Sequence, residues 1–171
     1  MGQGVDSFRE ALSGHHRVTV DTMCCIYFIE RKTDTVLEHA DLVFERARFG
    51  HIAVDLPAIT RLELMVHPLR SRDPLEMDRV RKFIERSPGV TRVDVTEEIL
   101  LAAASVRAAT RLRVPDALIA GSALVHGSDA IIGNDAAFAS LRGIERISVW
   151  GAAQSYRVPQ YIHIDDYLEE D

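Results

Sequence analysis

Five short strand-like runs, some apolar and one alternating, separated by stretches of helical period, constrain this chain more than any other feature. Residues 18–22, 51–54, 90–95, 130–132 and 146–150 read as strands. Between them, residues 24–31, 36–49, 57–68, 74–87, 96–110 and 115–126 carry helical spacing or helix start and stop signals. A short helix over 7–12 precedes the first strand, and another over 136–141 precedes the last. Within residues 57–68, Ile59, Leu62 and Val66 read as the apolar stripe, and Pro68 as the stop. Strands alternating with helices predict an α/β/α sandwich around a central, mainly parallel sheet. In such sheets, ligands gather at the carboxyl ends of the strands.

Four acidic residues fall at places where burial would cost free energy. Asp21 closes the first strand, Glu63 sits mid-helix, Asp116 follows Pro115, and Asp135 follows the run Ala130-Ile131-Ile132. Carboxylates at such positions need a cationic partner. A divalent metal is the simplest candidate, and a metal held by carboxylates points to phosphate chemistry. Each acid also has a plainer reading. Asp21 suits a turn, Glu63 suits a helix-surface pair, and Asp116 and Asp135 suit helix first turns and caps. Position alone does not decide between these.

The net charge of −6 argues at first against a nucleic-acid partner. Five of those negative charges lie in the last seven residues, 165–171, which leaves a nearly neutral body. Arg79, Lys82 and Arg86 share one face of a helix, and Arg113 is close to Asp116 in sequence; these are the candidate contacts to nucleic-acid phosphates. Interleaved acids such as Glu76, Asp78 and Glu85 allow a solvated surface instead. Cys24 and Cys25 are adjacent, which suits buried thiols better than a disulfide. No Cys or His cluster has zinc-ligand spacing. No apolar stretch spans a membrane and no secretory signal opens the chain, so a cytoplasmic protein is expected.

The strings around the four acids are more specific than their positions. VTVDT with CCIYFIE, AVDLPAITRLELM, RVPDALIAGSAL and AIIGNDAAFASL resemble, in order, the motifs of the PIN-domain family of metal-dependent ribonucleases. Within that family the chain resembles the VapC toxins of bacterial toxin–antitoxin pairs. The resemblance runs from about Val18 to Trp150. It divides the chain into an N-terminal extension (1–17), a PIN domain (18–150) and a C-terminal extension with an acidic tail (151–171). Two positions depart from the pattern. Gly133 stands where many relatives have Thr or Ser, and Met23 where many have a small polar residue.

The resemblance implies a PIN-like α/β/α sandwich and a site built from Asp21, Glu63, Asp116 and Asp135. That site would hold Mg²⁺ or Mn²⁺, with Asp21 and Asp116 as the main direct ligands and Asn134 in support. It implies cleavage of RNA by metal-activated water, a cognate antitoxin and a homodimer. A non-toxin PIN nuclease of RNA processing and a catalytically weak PIN scaffold share the same motifs. A phosphatase with an aspartate nucleophile would need a second Asp where Met23 stands.

Overall fold

The computed structural model describes residues 2–31 and 35–149. Five strands, β1 (Arg17–Val20), β2 (Ala53–Pro57), β3 (Val90–Val93), β4 (Ala130–Ile132) and β5 (Glu145–Ile147), form one sheet in the order β3-β2-β1-β4-β5. Every neighbouring pair is parallel. The chain therefore winds outward from β1 in one direction through β2 and β3, and in the other through β4 and β5. The order reverses between β1 and β4, which is where an open parallel sheet leaves a crevice at its carboxyl edge.

Both sheet faces are covered, as a parallel sheet requires. The helices are α1 (Gly2–Ser13), α2 (Thr22–Glu30), α3 (Thr35–Arg48), α4 (Ala58–Ser71), α5 (Pro74–Arg86), α6 (Glu97–Ala109) and α7 (Val114–His126). Alternation along the strands sends Val18, Val20, Val54, Leu56 and Ile132 to one core, where Leu12, Cys24, Val43, Phe44, Leu64 and Phe83 meet them. Ile131 faces the other way, onto Ile119, Ala120 and Phe138. Gly121 lets α7 close on α6. A Cβ there would stand 2.7 Å from the Ile99 carbonyl oxygen, so the residue must be glycine. Met23 packs against the first core, and burial pushes both cysteine thiols well up, leaving them inert.

Several caps form as their residue types dictate. Asp73 accepts from the Leu75 amide at 2.9 Å, and Thr96 from the Ile99 amide at 3.3 Å. Other expectations are corrected. Pro68 does not end its helix, which runs on to Ser71. The proline lies in the last turn, and Arg72 in the left-handed region (φ 53°) makes the stop. The buried face of α4 is Thr60, Leu64 and Pro68, whereas Leu62 and Val66 face outward. The expected third strand ends at Val93, leaving Val95 exposed. The first helix is longer than the expected 7–12, running from Gly2 to Ser13, so Asp6 lies inside it, 3.8 Å from Arg9. The second strand begins later than expected and includes Asp55. Trp150 and the acidic tail lie outside the described residues.

Candidate active site

Asp21 leaves β1 and becomes the N-cap of α2. Its amide donates to the Ile132 carbonyl at 2.9 Å, and its Oδ1 accepts from the Thr22 amide at 2.7 Å. This places a carboxylate at the carboxyl edge of β1, beside β4. Asp135 occupies the equivalent place after β4. It caps the 3-10 turn Ala136–Ser140, with Oδ1 accepting from the Ala137 amide at 2.8 Å. The two acids thus flank the switch point of the sheet.

Glu63 arrives from α4. One turn earlier, the buried Thr60 hydroxyl donates to the Val20 carbonyl at 3.3 Å and ties this helix to the end of β1. The Thr22 hydroxyl donates to Glu63 Oε2, which fixes the carboxylate beside Asp21. Asp116 sits in the first turn of α7, only 7% exposed. Its Oδ2 accepts from Arg113 Nε at 3.0 Å, and another nitrogen of the same guanidinium stands 3.8 Å from Asp135 Oδ2. The structure therefore brings the four acids together, with Arg113 spanning two of them.

Their electrostatics are those of a crowded acidic pocket. Burial pushes the Asp21 carboxyl up to about 7, and Glu63, Asp116 and Asp135 add to the rise against the lowering Thr22 amide. Burial also raises Glu63, opposed by the Thr22 hydroxyl. Asp116 is raised by burial too, opposed by Arg113. Desolvation outweighs mutual repulsion at each of these three groups.

The sign of the pH dependence follows. In the metal-free protein, Asp21 keeps its proton up to about 7, while the unfolded chain releases it near 3.8. Stability from this group is full below about 4 and is lost as pH rises through about 7. At about 1.36 kcal/mol for each pH unit between 3.8 and about 7, the loss is bounded near 4 kcal/mol. Glu63 and Asp116 act in the same direction. Asp129, held low by the His16 and Arg17 amides, opposes them only at the acid end. Thermal melts in EDTA should show the melting temperature falling from pH 5 to pH 8, and saturating Mn²⁺ should flatten the trend. A melting temperature that rises across this range would contradict the account.

Gly133, the departure noted above, has a steric reason. A Cβ there would meet Asp21 Cβ at 3.0 Å, and Asp21 Oδ2 and Phe138 Cε2 at 3.3 Å. Asp21 is pinned through its own backbone amide, so it yields little. Gly133→Ser should cost about 1–2 kcal/mol of stability and should not raise nucleolytic activity, because the new atoms press on the acid they would serve. Melts and cleavage assays on this variant check both.

Asn134 is held at the β5 side, its Oδ1 accepting from the Ser148 hydroxyl at 3.0 Å. Arg79, Lys82 and Arg86 do share a face. With Arg48 they rim a groove floored by Phe28, Phe44 and Phe83, and none of the four site acids lines that groove. Lys82 pairs with Asp78 at 2.6 Å. Sequence reasoning missed the Thr22–Glu63 bond and the bridging role of Arg113. The first had no signal, since it joins residues 41 apart. The second had one in the i, i+3 spacing of Arg113 and Asp116.

Four carboxylates facing one crevice offer the oxygen donors that a hard divalent cation takes. Among the described residues, however, no three acidic, histidine or cysteine side chains are already grouped to hold one. The donor chemistry fits; the side chains would have to close on the ion.

The sequence model of the PIN domain family matches residues 18–144. No curated protein matches in sequence. Among solved structures, VapBC2 of Rickettsia felis, in a complex with a promoter DNA fragment, is 15% identical with a TM-score of 0.61, covering 77% of this chain and 98% of that one. A toxin–antitoxin complex from Klebsiella pneumoniae is 20% identical with a TM-score of 0.58, covering 74% and 94%. VapBC-1 of nontypeable Haemophilus influenzae is 16% identical with a TM-score of 0.61, covering 78% and 98%. At these identities the likeness is one of fold.

Proposed function

The chain belongs to the PIN-domain family, and from that premise we propose that it is a divalent-metal-dependent endoribonuclease, the toxin of a toxin–antitoxin pair. The observation that carries this reading is the convergence of Asp21, Glu63, Asp116 and Asp135 at the switch point of the sheet. The toxin role draws support from the fold shared with toxin–antitoxin complexes.

In this reading Asp21 and Asp116 are the main direct ligands of Mg²⁺ or Mn²⁺, and Glu63 and Asp135 complete the set. An ion held by these four acids would supply a nucleophilic water and neutralise charge on the scissile phosphate. The protein does the rest. Thr22 orients Glu63, and the N-caps of α2 and the 3-10 turn fix Asp21 and Asp135. A carboxylate whose proton affinity is already raised by burial is suited to take the proton from water. Asn134 supports the site from the β5 side, and Arg79, Lys82 and Arg86 offer their groove rim to RNA phosphates.

An antitoxin would act by covering this crevice. Exposed Leu62 and Leu69 on α4, Leu100 and Leu101 on α6, and Leu124 and Val125 on α7 lie on helices that pack together, which supports a homodimer. No helix among the described residues is long and apolar enough to cross a membrane, and the reading places the protein in the cytoplasm with its RNA. The test is cleavage of cellular RNA by the purified chain with Mn²⁺ or Mg²⁺ against EDTA, joined to sequencing of RNA ends after a pulse of expression. RNA left intact with either metal would remove the nuclease reading. Cleavage in vitro without growth arrest would favour a processing nuclease over a toxin.

A further inference from the structure

Arg113 is placed where helix energetics do not want it. It is the N-cap residue of α7, yet its side chain makes no cap hydrogen bond. Ser, Thr, Asp and Asn are the preferred caps, and a cation beside a helix N-terminus opposes the macrodipole. Something other than the helix holds it. Its guanidinium takes Asp116 Oδ2 at 3.0 Å and stands 3.8 Å from Asp135 Oδ2, so one cation joins two acids from different elements. Its field also reaches Glu63. The side chain is 77% exposed, whereas that of Asp116 is 10% exposed, so the arm has room to leave and the acid does not. The Asp135 oxygen facing Arg113 is the one not used by the Ala137 amide. A divalent ion at these acids would need those same oxygens and would repel the guanidinium at short range.

We propose that Arg113 is a built-in counter-ion of the carboxylate site, a positioning residue that holds Asp116 and Asp135 together without metal and must be displaced for a divalent cation to bind. This rests on reading the site as a metal site. Arg113 therefore stabilises the metal-free fold and weakens metal affinity at the same time. A merely structural arginine would not do this, since its loss would harm both. Lysine, a compact point charge, cannot span two carboxylates as a planar guanidinium does.

The test is calorimetric titration of Mn²⁺ into the full-length chain, freed of metal with EDTA and dialysed, with thermal melts alongside. Arg113→Gln should bind Mn²⁺ about threefold to tenfold more tightly than wild type, the range set by a partly exposed ion pair. Its metal-free melting temperature should be lower, and its rise on adding Mn²⁺ larger. Arg113→Lys should fall between. Affinity unchanged or weakened in a folded Arg113→Gln overturns the proposal. Should that variant fail to fold, the lysine variant decides: tighter binding than wild type supports the proposal, and equal or weaker binding overturns it. The two failures separate. Wild type that binds Mn²⁺ and cuts RNA while Arg113 has no effect defeats only the counter-ion. A chain that binds no Mn²⁺ with or without Arg113 defeats the metal site itself.

Discussion

Asp21→Asn is expected to lower metal-dependent RNA cleavage by about a thousandfold or more, while the fold survives and its metal-free stability at pH 7.5 rises. Both halves come from the same geometry. Asparagine keeps the N-cap, because its amide oxygen still accepts from the Thr22 amide that Asp21 engages at 2.7 Å. It removes the charge at the centre of the acidic pocket. With the carboxyl pushed up to about 7 by burial and its neighbours, ionised Asp21 costs the metal-free fold free energy near neutral pH. A neutral amide relieves that cost. The same substitution strips the metal of a main ligand, and several kcal/mol of transition-state stabilisation correspond to about three powers of ten in rate. Cleavage of a labelled RNA with Mn²⁺, beside thermal melts in EDTA, reads both effects. Activity within tenfold of wild type would refute the role of Asp21. Lost activity with lost stability would mean that the acid serves the fold instead.

The path from sequence to this site was legible where local chemistry and the larger fold agree. Val18, Val20 and Ala130 to Ile132 are apolar because both faces of a parallel sheet are covered. The acids following them are legible as caps, and as caps they become site residues: Asp21 and Asp135 accept helix amides with one oxygen and keep the other for the pocket. That double use explains why their positions alone could not separate a structural from a functional reading. The surrounding strings did better because they carry the order of the elements. What was not legible depends on contacts distant in sequence. The stripe of Ile59, Leu62 and Val66 gave the wrong buried face for α4, because Thr60 finds the Val20 carbonyl and so can lie inward. Pro68 looked like a stop because one position cannot show that only a last turn follows it. The second strand, expected over 51–54, in fact carries Asp55 inside it, although Asp is disfavoured within strands. The partners of Asp55 come from β1 and from the end of α7.

Those partners make Asp55→Ala the largest expected loss of stability outside the site, about 2–3 kcal/mol. Asp55 is fully buried in β2. Its Oδ1 accepts from Arg17 at 2.7 Å, and its Oδ2 faces Ser128 at 3.4 Å and His126 at 3.7 Å, while Ser128 shares a 2.8 Å hydrogen bond with Thr19. Burial raises the carboxyl, against the pull of Arg17. This network staples β2, β1 and the start of β4 near the amino end of the sheet, away from the acidic crevice at the carboxyl end. Removing the acid leaves Arg17, whose side chain is 36% exposed, without its carboxylate and leaves Ser128 only its bond with Thr19, so the loss comes mainly from the emptied space and the broken charge-assisted hydrogen bond. For a chain of this size the melting temperature should fall by about 5–10 °C. Replacing both members together, Asp55→Leu with Arg17→Met, should recover much of the loss, because no charge is then stranded. Cleavage per folded molecule, measured well below the melting temperature, should stay within a few-fold of wild type. Loss of cleavage with an unchanged melting temperature would instead assign Asp55 to the chemistry, and would mean that the site extends through the sheet.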